Sequence, residues 1–220
     1  MKVFLIPGLG YNHQIFENLD LSVFDTAYIN WIEPEPNEKI HEYSKRIFRQ
    51  VENTDEEITL IGHSLGGIVA QEIASVRKID RIILISSIKS RKEMPLSFKM
   101  VRPFHLDKLF TKERSIKTVK FWGKSHGFQT IKEKELFKSM VGKQTNKYLQ
   151  WALRELSSWQ EPNIPRATKL IQIHGTNDKT FPIQLVHKPD FVIDEGSHIL
   201  VYKRAAEISE LIIRTIGQNG

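Results

Sequence analysis

The feature that most restricts this chain is the run Gly62-His63-Ser64-Leu65-Gly66-Gly67 and its setting. The apolar stretch Ile58-Thr59-Leu60-Ile61 comes directly before it, and the helix-like stretch Ile68-Val69-Ala70-Gln71-Glu72-Ile73-Ala74 directly after. A serine between a buried strand and a helix sits in a sharp turn. Bulky side chains two residues away on either side would collide there, and Gly62 and Gly66 remove them. Gly67 lets the helix lie close to the sheet. The helix N-terminus then aims its unpaired N–H groups at the serine hydroxyl and favours negative charge developing on it. Ser64 is therefore a candidate nucleophile at the end of a buried strand.

The rest of the chain alternates in the same way. Strand signals cover Lys2 to Ile6, Thr26 to Ile32, Glu57 to Gly62, Arg81 to Ser86, Lys169 to His174 and Asp190 to Asp194. Helical spacing covers Lys39 to Glu52, with Ile40, Tyr43, Ile47 and Val51 on one face, then Leu65 to Arg77 and Ile199 to Ile216. Buried strands alternating with amphipathic helices predict a three-layer α/β sandwich around a mostly parallel sheet. From Ile88 onward the pattern is helical and lysine-rich until strand signals resume. This reads as a helical insertion, 88–163, in a core made of residues 1–87 and 164–220. A chain of 220 residues suffices for one such domain.

A serine hydroxyl needs a base, and the base needs an orienting carboxylate. Behind a strand–serine–helix turn of this kind the order is serine, acid, histidine. His198 fits the base, because Glu195-Gly196-Ser197-His198 follows the strand Phe191-Val192-Ile193. His63 should leave the turn in another direction, and His174 reads as a packed strand residue. His13, His41, His105, His126 and His187 lack a strand-end position. Asp178 fits the acid, following Leu170-Ile171-Gln172-Ile173 in the loop Gly175-Thr176-Asn177-Asp178. Asp190 and Asp194 lie too near the last strand, and the fourth strand ends in Ser86-Ser87-Ile88 without a carboxylate. An oxyanion needs two N–H donors. The Leu65 amide is one, and Pro7-Gly8-Leu9-Gly10 supplies the other, from Leu9 or alternatively Gly10.

These segments, in this order, resemble the α/β-hydrolase superfamily: Pro7 to Gly10, Gly62 to Gly67, Gly175 to Pro182 and Gly196 to His198. The chain looks most like its small, cap-bearing members, including esterases, lipase-like enzymes and thioesterases. Its pattern of Gly8-Leu9-Gly10 near the start, Trp31-Ile32-Glu33-Pro34 and Ile85-Ser86-Ser87-Ile88 is similar to a bacterial group whose substrates are largely unassigned. The resemblance implies a six-stranded sheet ordered 2-1-3-4-5-6, without the two earlier strands of larger members. Pro7-Gly8 stands where those members have His-Gly, which leaves the backbone donors intact. A serine nucleophile argues against the carboxylate chemistry of epoxide hydrolases and dehalogenases. The implied reaction is cleavage of a small-molecule ester or thioester through an acyl-enzyme, needing neither metal nor organic cofactor. An acyltransferase on the same residues and a non-catalytic small-molecule-binding protein are the alternatives.

Charge is distributed unevenly. Residues 88–150 hold 16 Lys/Arg and 5 Asp/Glu, a net of +11, against 16 and 21, a net of −5, in the remainder. Three readings are open: attraction of an anionic substrate, attachment to an anionic lipid surface, or a solvated lysine-rich exterior. Nucleic-acid binding is disfavoured, since no recognition motif accompanies the charge. Within this segment Asn146 to Trp159 is the clearest helix. Tyr148, Trp151, Ala152, Glu155 and Trp159 recur at its helical spacing as a packing stripe. Phe98, Phe104, Phe110, Phe121, Trp122, Phe128 and Phe137 add apolar surface, some of it suited to an acyl pocket. The chain has no cysteine, no secretory pattern and no run long enough to cross a bilayer, so the cytoplasm is the expected location.

Overall fold

The computed structural model describes residues 1–51 and 56–217. Six strands form one sheet: β1 (Lys2–Ile6), β2 (Asp25–Tyr28), β3 (Ile58–His63), β4 (Arg81–Ile85), β5 (Lys169–Gly175) and β6 (Phe191–Ile193). Their order is β2-β1-β3-β4-β5-β6 and every pairing is parallel, as expected. β3 and β4 are buried along their whole length, which is why they read as continuous apolar runs. β2 is an edge strand with all four residues exposed.

Several expected elements differ in extent. The second strand stops at Tyr28 instead of Ile32. The Asn30 backbone is bonded at both ends by the Gln50 amide, and that of Ile32 by the Tyr43 hydroxyl. Side chains thus take the groups that a sheet ladder would use. The helix expected over Lys39–Glu52 is α1 (Ile40–Ile47) followed by a 3-10 turn to Gln50, and Glu52 lies outside the described residues. α2 (Leu65–Ala74) is buried at all ten positions, between the sheet and α1. It stops before Arg77.

Four helices lie between β4 and β5: α3 (Leu96–Lys99), α4 (Lys112–Trp122), α5 (Ile131–Gly142) and α6 (Asn146–Ser158). Threonine starts each of the last three. The side chains of Thr111, Thr130 and Thr145 accept from the N–H three residues on, occupying a donor that the helix leaves unpaired. α4 packs on α5. α6 turns its aromatic stripe inward, with Tyr148, Trp151 and Trp159 all buried. The Trp151 ring lies 4.3 Å from that of Tyr43, and its N–H donates to the Glu38 carbonyl. Buried side chains of this segment belong to the same apolar cluster as the sheet.

The closing helix is broken into α7 (Leu200–Lys203) and α8 (Ala205–Gly217). The Tyr202 carbonyl, which a continuous helix would need, accepts from the Asn18 amide, and the Arg204 guanidinium reaches back to the Asp194 carbonyl. Among the described residues no helix is long and apolar enough to cross a membrane.

Candidate active site

β3 delivers Ser64 at the carboxyl end of the sheet, in a backbone conformation (φ 53°, ψ −119°) that non-glycine residues rarely adopt. The strain is held by close packing. A side chain on Gly66 would put its Cβ 2.0 Å from the Ile6 carbonyl oxygen, and one on Gly62 would meet the Gly67 backbone at 2.4 Å. β4 fixes the other side: the Ser64 N–H donates to the Ile85 carbonyl, and the Ser87 hydroxyl donates to the Ser64 carbonyl.

The loops after β5 and β6 bring the expected partners to this turn. His198 Nε2 is 3.0 Å from Ser64 Oγ, and His198 Nδ1 is 2.9 Å from Asp178 Oδ2. Asp178 Oδ1 accepts from the backbone N–H of Thr180 and of Phe181. The two loops touch where neither has a side chain, since a Cβ on Gly175 would lie 2.1 Å from the Gly196 carbonyl oxygen. Ser64, Asp178 and His198 are all buried.

Burial pushes the Asp178 carboxyl up. The His198 and His174 imidazoles and the Phe181 N–H outweigh it and hold the group below its ordinary value. Asp178 is thus a carboxylate that only accepts, so His198 Nδ1 carries the proton and Nε2 faces Ser64 as an acceptor. Asp190 and Asp194, set aside for lying too near the last strand, are engaged elsewhere, with the Gln172 N–H and the Thr176 hydroxyl.

Two other histidines brace the arrangement. His63 does leave the turn in another direction, but it reaches the backbone of His198, 2.9 Å from the carbonyl oxygen. His174 is the packed residue expected; its ring lies against the Phe181 carbonyl at 2.7 Å and near Asp178 Oδ2 at 3.6 Å. Burial lowers both pKa values, that of His63 to about 3.

Ser64 and His198 border a cavity of about 310 Å³. Phe98, Phe110, Trp122, Phe137, Leu153 and Leu156 form apolar wall, with Leu9 near the serine. Phe128 packs in the core instead, and Phe104 and Phe121 face water. Among the described residues no Lys, Arg, Asp or Glu lines the cavity. Tyr11, His126 and Thr180 complete the lining, and the sequence did not single them out. Tyr11 was within reach, two residues past Leu9 in the loop after β1. His126 sits in an insertion without strand ends to place it. Among the described residues neither the Leu9 nor the Leu65 amide has a backbone or side-chain acceptor. Leu65 opens α2, where an N–H has no intrahelical partner.

This sheet order and turn define a protein of the α/β-hydrolase class. The model of the alpha/beta hydrolase family matches residues 3–211, and the chain belongs to that family. Solved structures share the fold. An esterase from Exiguobacterium antarcticum superposes with a TM-score of 0.74 at 14% identity, covering 99% of this chain and 92% of that one. MenH from S. aureus gives 0.71 at 19% identity, over 100% and 95%. A carboxylesterase structure from the thaumarchaeon Nitrososphaera gargenis gives 0.70 at 16%, over 98% and 89%. No curated protein matches the chain by sequence.

Proposed function

We propose that this hydrolase cleaves a carboxylic ester or thioester through an acyl-enzyme on Ser64. The observation that carries the reading is the unbroken relay from Ser64 Oγ to His198 to Asp178 beside an apolar cavity. His198 Nε2 takes the Ser64 proton as Oγ attacks the acyl carbon. The amides of Leu9 and Leu65 hold the tetrahedral oxyanion. The C–O or C–S bond then breaks, and His198 returns the proton to the departing alcohol or thiol. Water attacks the acyl-serine, giving a proton to His198, which restores Ser64 as the acid leaves.

Residues 88–163 act as a cap, and seven of the residues lining the cavity come from them. A cavity of about 310 Å³ is at the small end for ligand sites and suits a compact, uncharged apolar group.

The test is Ser64→Ala. It should lower kcat on p-nitrophenyl esters by at least about 10⁴-fold and abolish fluorophosphonate labelling with the fold intact. Turnover that survives, or labelling elsewhere, rejects the assignment. Product analysis with added alcohols separates hydrolysis from acyl transfer.

A further inference from the structure

Large apolar side chains that face water are concentrated in one stretch. Leu96, Met100, Phe104, Leu106, Leu109 and Phe121 are six of the twelve exposed among the described residues. Phe121 is 76% exposed, Leu96 71% and Phe104 62%, so these are projecting side chains rather than edges of the core. The same stretch is basic. Residues 96–124 hold eight Lys/Arg and two Asp/Glu, and one of the two acids, Asp107, is buried. Among the described residues none of those eight cations is in an ion pair. Lys120 instead lies 4.9 Å over the ring of Phe121.

The charge does not serve the cavity, whose wall has no cation. It faces outward together with the apolar side chains. Both sit close to the cavity along the chain. Cavity residue Phe98 lies between Leu96 and Met100, Phe110 follows Leu109, and Trp122 follows Phe121. Neighbouring Cα atoms are about 3.8 Å apart, so the exposed side chains flank the cavity wall at three places.

We propose that residues 96–124 dock this protein on an anionic lipid surface. Phenylalanine and leucine tips flanked by unpaired lysine and arginine match an interface of acyl chains beneath negative headgroups. A protein partner would need a rigid face of matching shape. Here Phe121 projects from α4, while Leu96, Met100, Phe104, Leu106 and Leu109 project from single helical turns and the chain between them, and a fluid surface accepts that irregular outline. Nucleic acid would match the charge but leave the bulky apolar tips in water.

The experiment is vesicle flotation with Ser64→Ala protein, so docking is read without turnover and stands apart from the proposed hydrolysis. Vesicles of phosphatidylglycerol mixed with phosphatidylcholine should bind at least about tenfold more tightly than phosphatidylcholine alone, and added salt should release the protein. Lys117→Glu/Lys120→Glu/Lys124→Glu should weaken that binding by at least about tenfold. Phe104→Ser/Phe121→Ser should weaken it by a similar factor at low salt, where the parent is bound. Both variants alter exposed positions and should keep the parent unfolding midpoint. Equal binding to both vesicles, or either folded variant binding like its parent, overturns the proposal. So does capture by polyglutamate without vesicle binding, which would mark the patch as a site for acidic protein.

Discussion

His63 Nε2 lies 2.9 Å from the carbonyl oxygen of His198. A carbonyl only accepts, so this nitrogen carries the proton, and Nδ1 is left buried without a partner. The residue before Ser64 thus holds the backbone of the histidine that faces Ser64, across 135 positions of sequence. The turn after β3 and the loop after β6 are tied together at the place where their side chains must meet.

The burial of His63 has a pH signature. Buried His63 stays neutral down to about pH 3, whereas in the unfolded chain it gains a proton below about 6.5. Between those values the unfolded state binds the extra proton, so stability falls as pH drops, by up to about 1.4 kcal/mol per pH unit. His174, also lowered by burial, acts with the same sign. Asp178, held below its ordinary 3.8, weakens the fold only at still lower pH. His63→Gln should therefore flatten the dependence of unfolding free energy on pH between about 6 and 4, by up to about 1.4 kcal/mol per unit. Urea melts across that range measure it, and an unchanged slope contradicts the neutral assignment.

Asp178→Asn should leave the fold in place and remove most of the activity. The amide oxygen can still accept from Thr180 and Phe181 N–H. The amide nitrogen then faces His198 Nδ1 and donates to it, which moves the imidazole proton to Nε2 and leaves no acceptor for the Ser64 proton. A kcat loss of about 10⁴-fold is expected. Circular dichroism and ester kinetics on the same preparation check both halves, and near-normal kcat would remove Asp178 from the mechanism.

Gly66→Ala should yield little folded protein. Its Cβ, whose position the backbone fixes, would meet the Ile6 carbonyl oxygen at 2.0 Å, and that oxygen is backbone, so no rotamer relieves the contact. A cost above about 4 kcal/mol is expected, within the range of a small domain's whole stability. Soluble yield and thermal melting report it; a melt within a few degrees of the parent would show that α2 can move off β1.

Trp122→Ala should enlarge the cavity and shift preference toward longer acyl groups. The Trp122 ring is partly buried in the cavity wall, edge-on to Phe137 at 4.9 Å. Its removal should raise the ratio of kcat/KM for long over short p-nitrophenyl esters by about tenfold or more. A stability loss of about 3 kcal/mol should accompany it. An unchanged chain-length profile would place the acyl group elsewhere.

Much of the site could be read from single segments. Gly62 and Gly66 act on their own turn and on the strand beside it, so their spacing around Ser64 carried the steric argument. The apolar runs of β3 and β4 and the stripe of α6 are periodic and local. Asp178 and His198 could be placed because a strand end precedes each. The rest depends on partners remote in sequence. The second strand ends where Tyr43 and Gln50 claim its backbone, and the last helix breaks where Asn18 takes the Tyr202 carbonyl. His126 joins the cavity only because α4 and α5 fold over the sheet's end. The turn, the strand order by resemblance, and Ser64, Asp178 and His198 as candidates could be read from local sequence, and the fold brings those three side chains within hydrogen-bonding distance. The brace from His63 to His198, the cavity's uncharged wall and the outward direction of the basic charge arise only once the chain is folded. Turn sterics and periodicity act over a few residues, whereas hydrogen-bond partners and burial are set by which distant segments arrive in the same place.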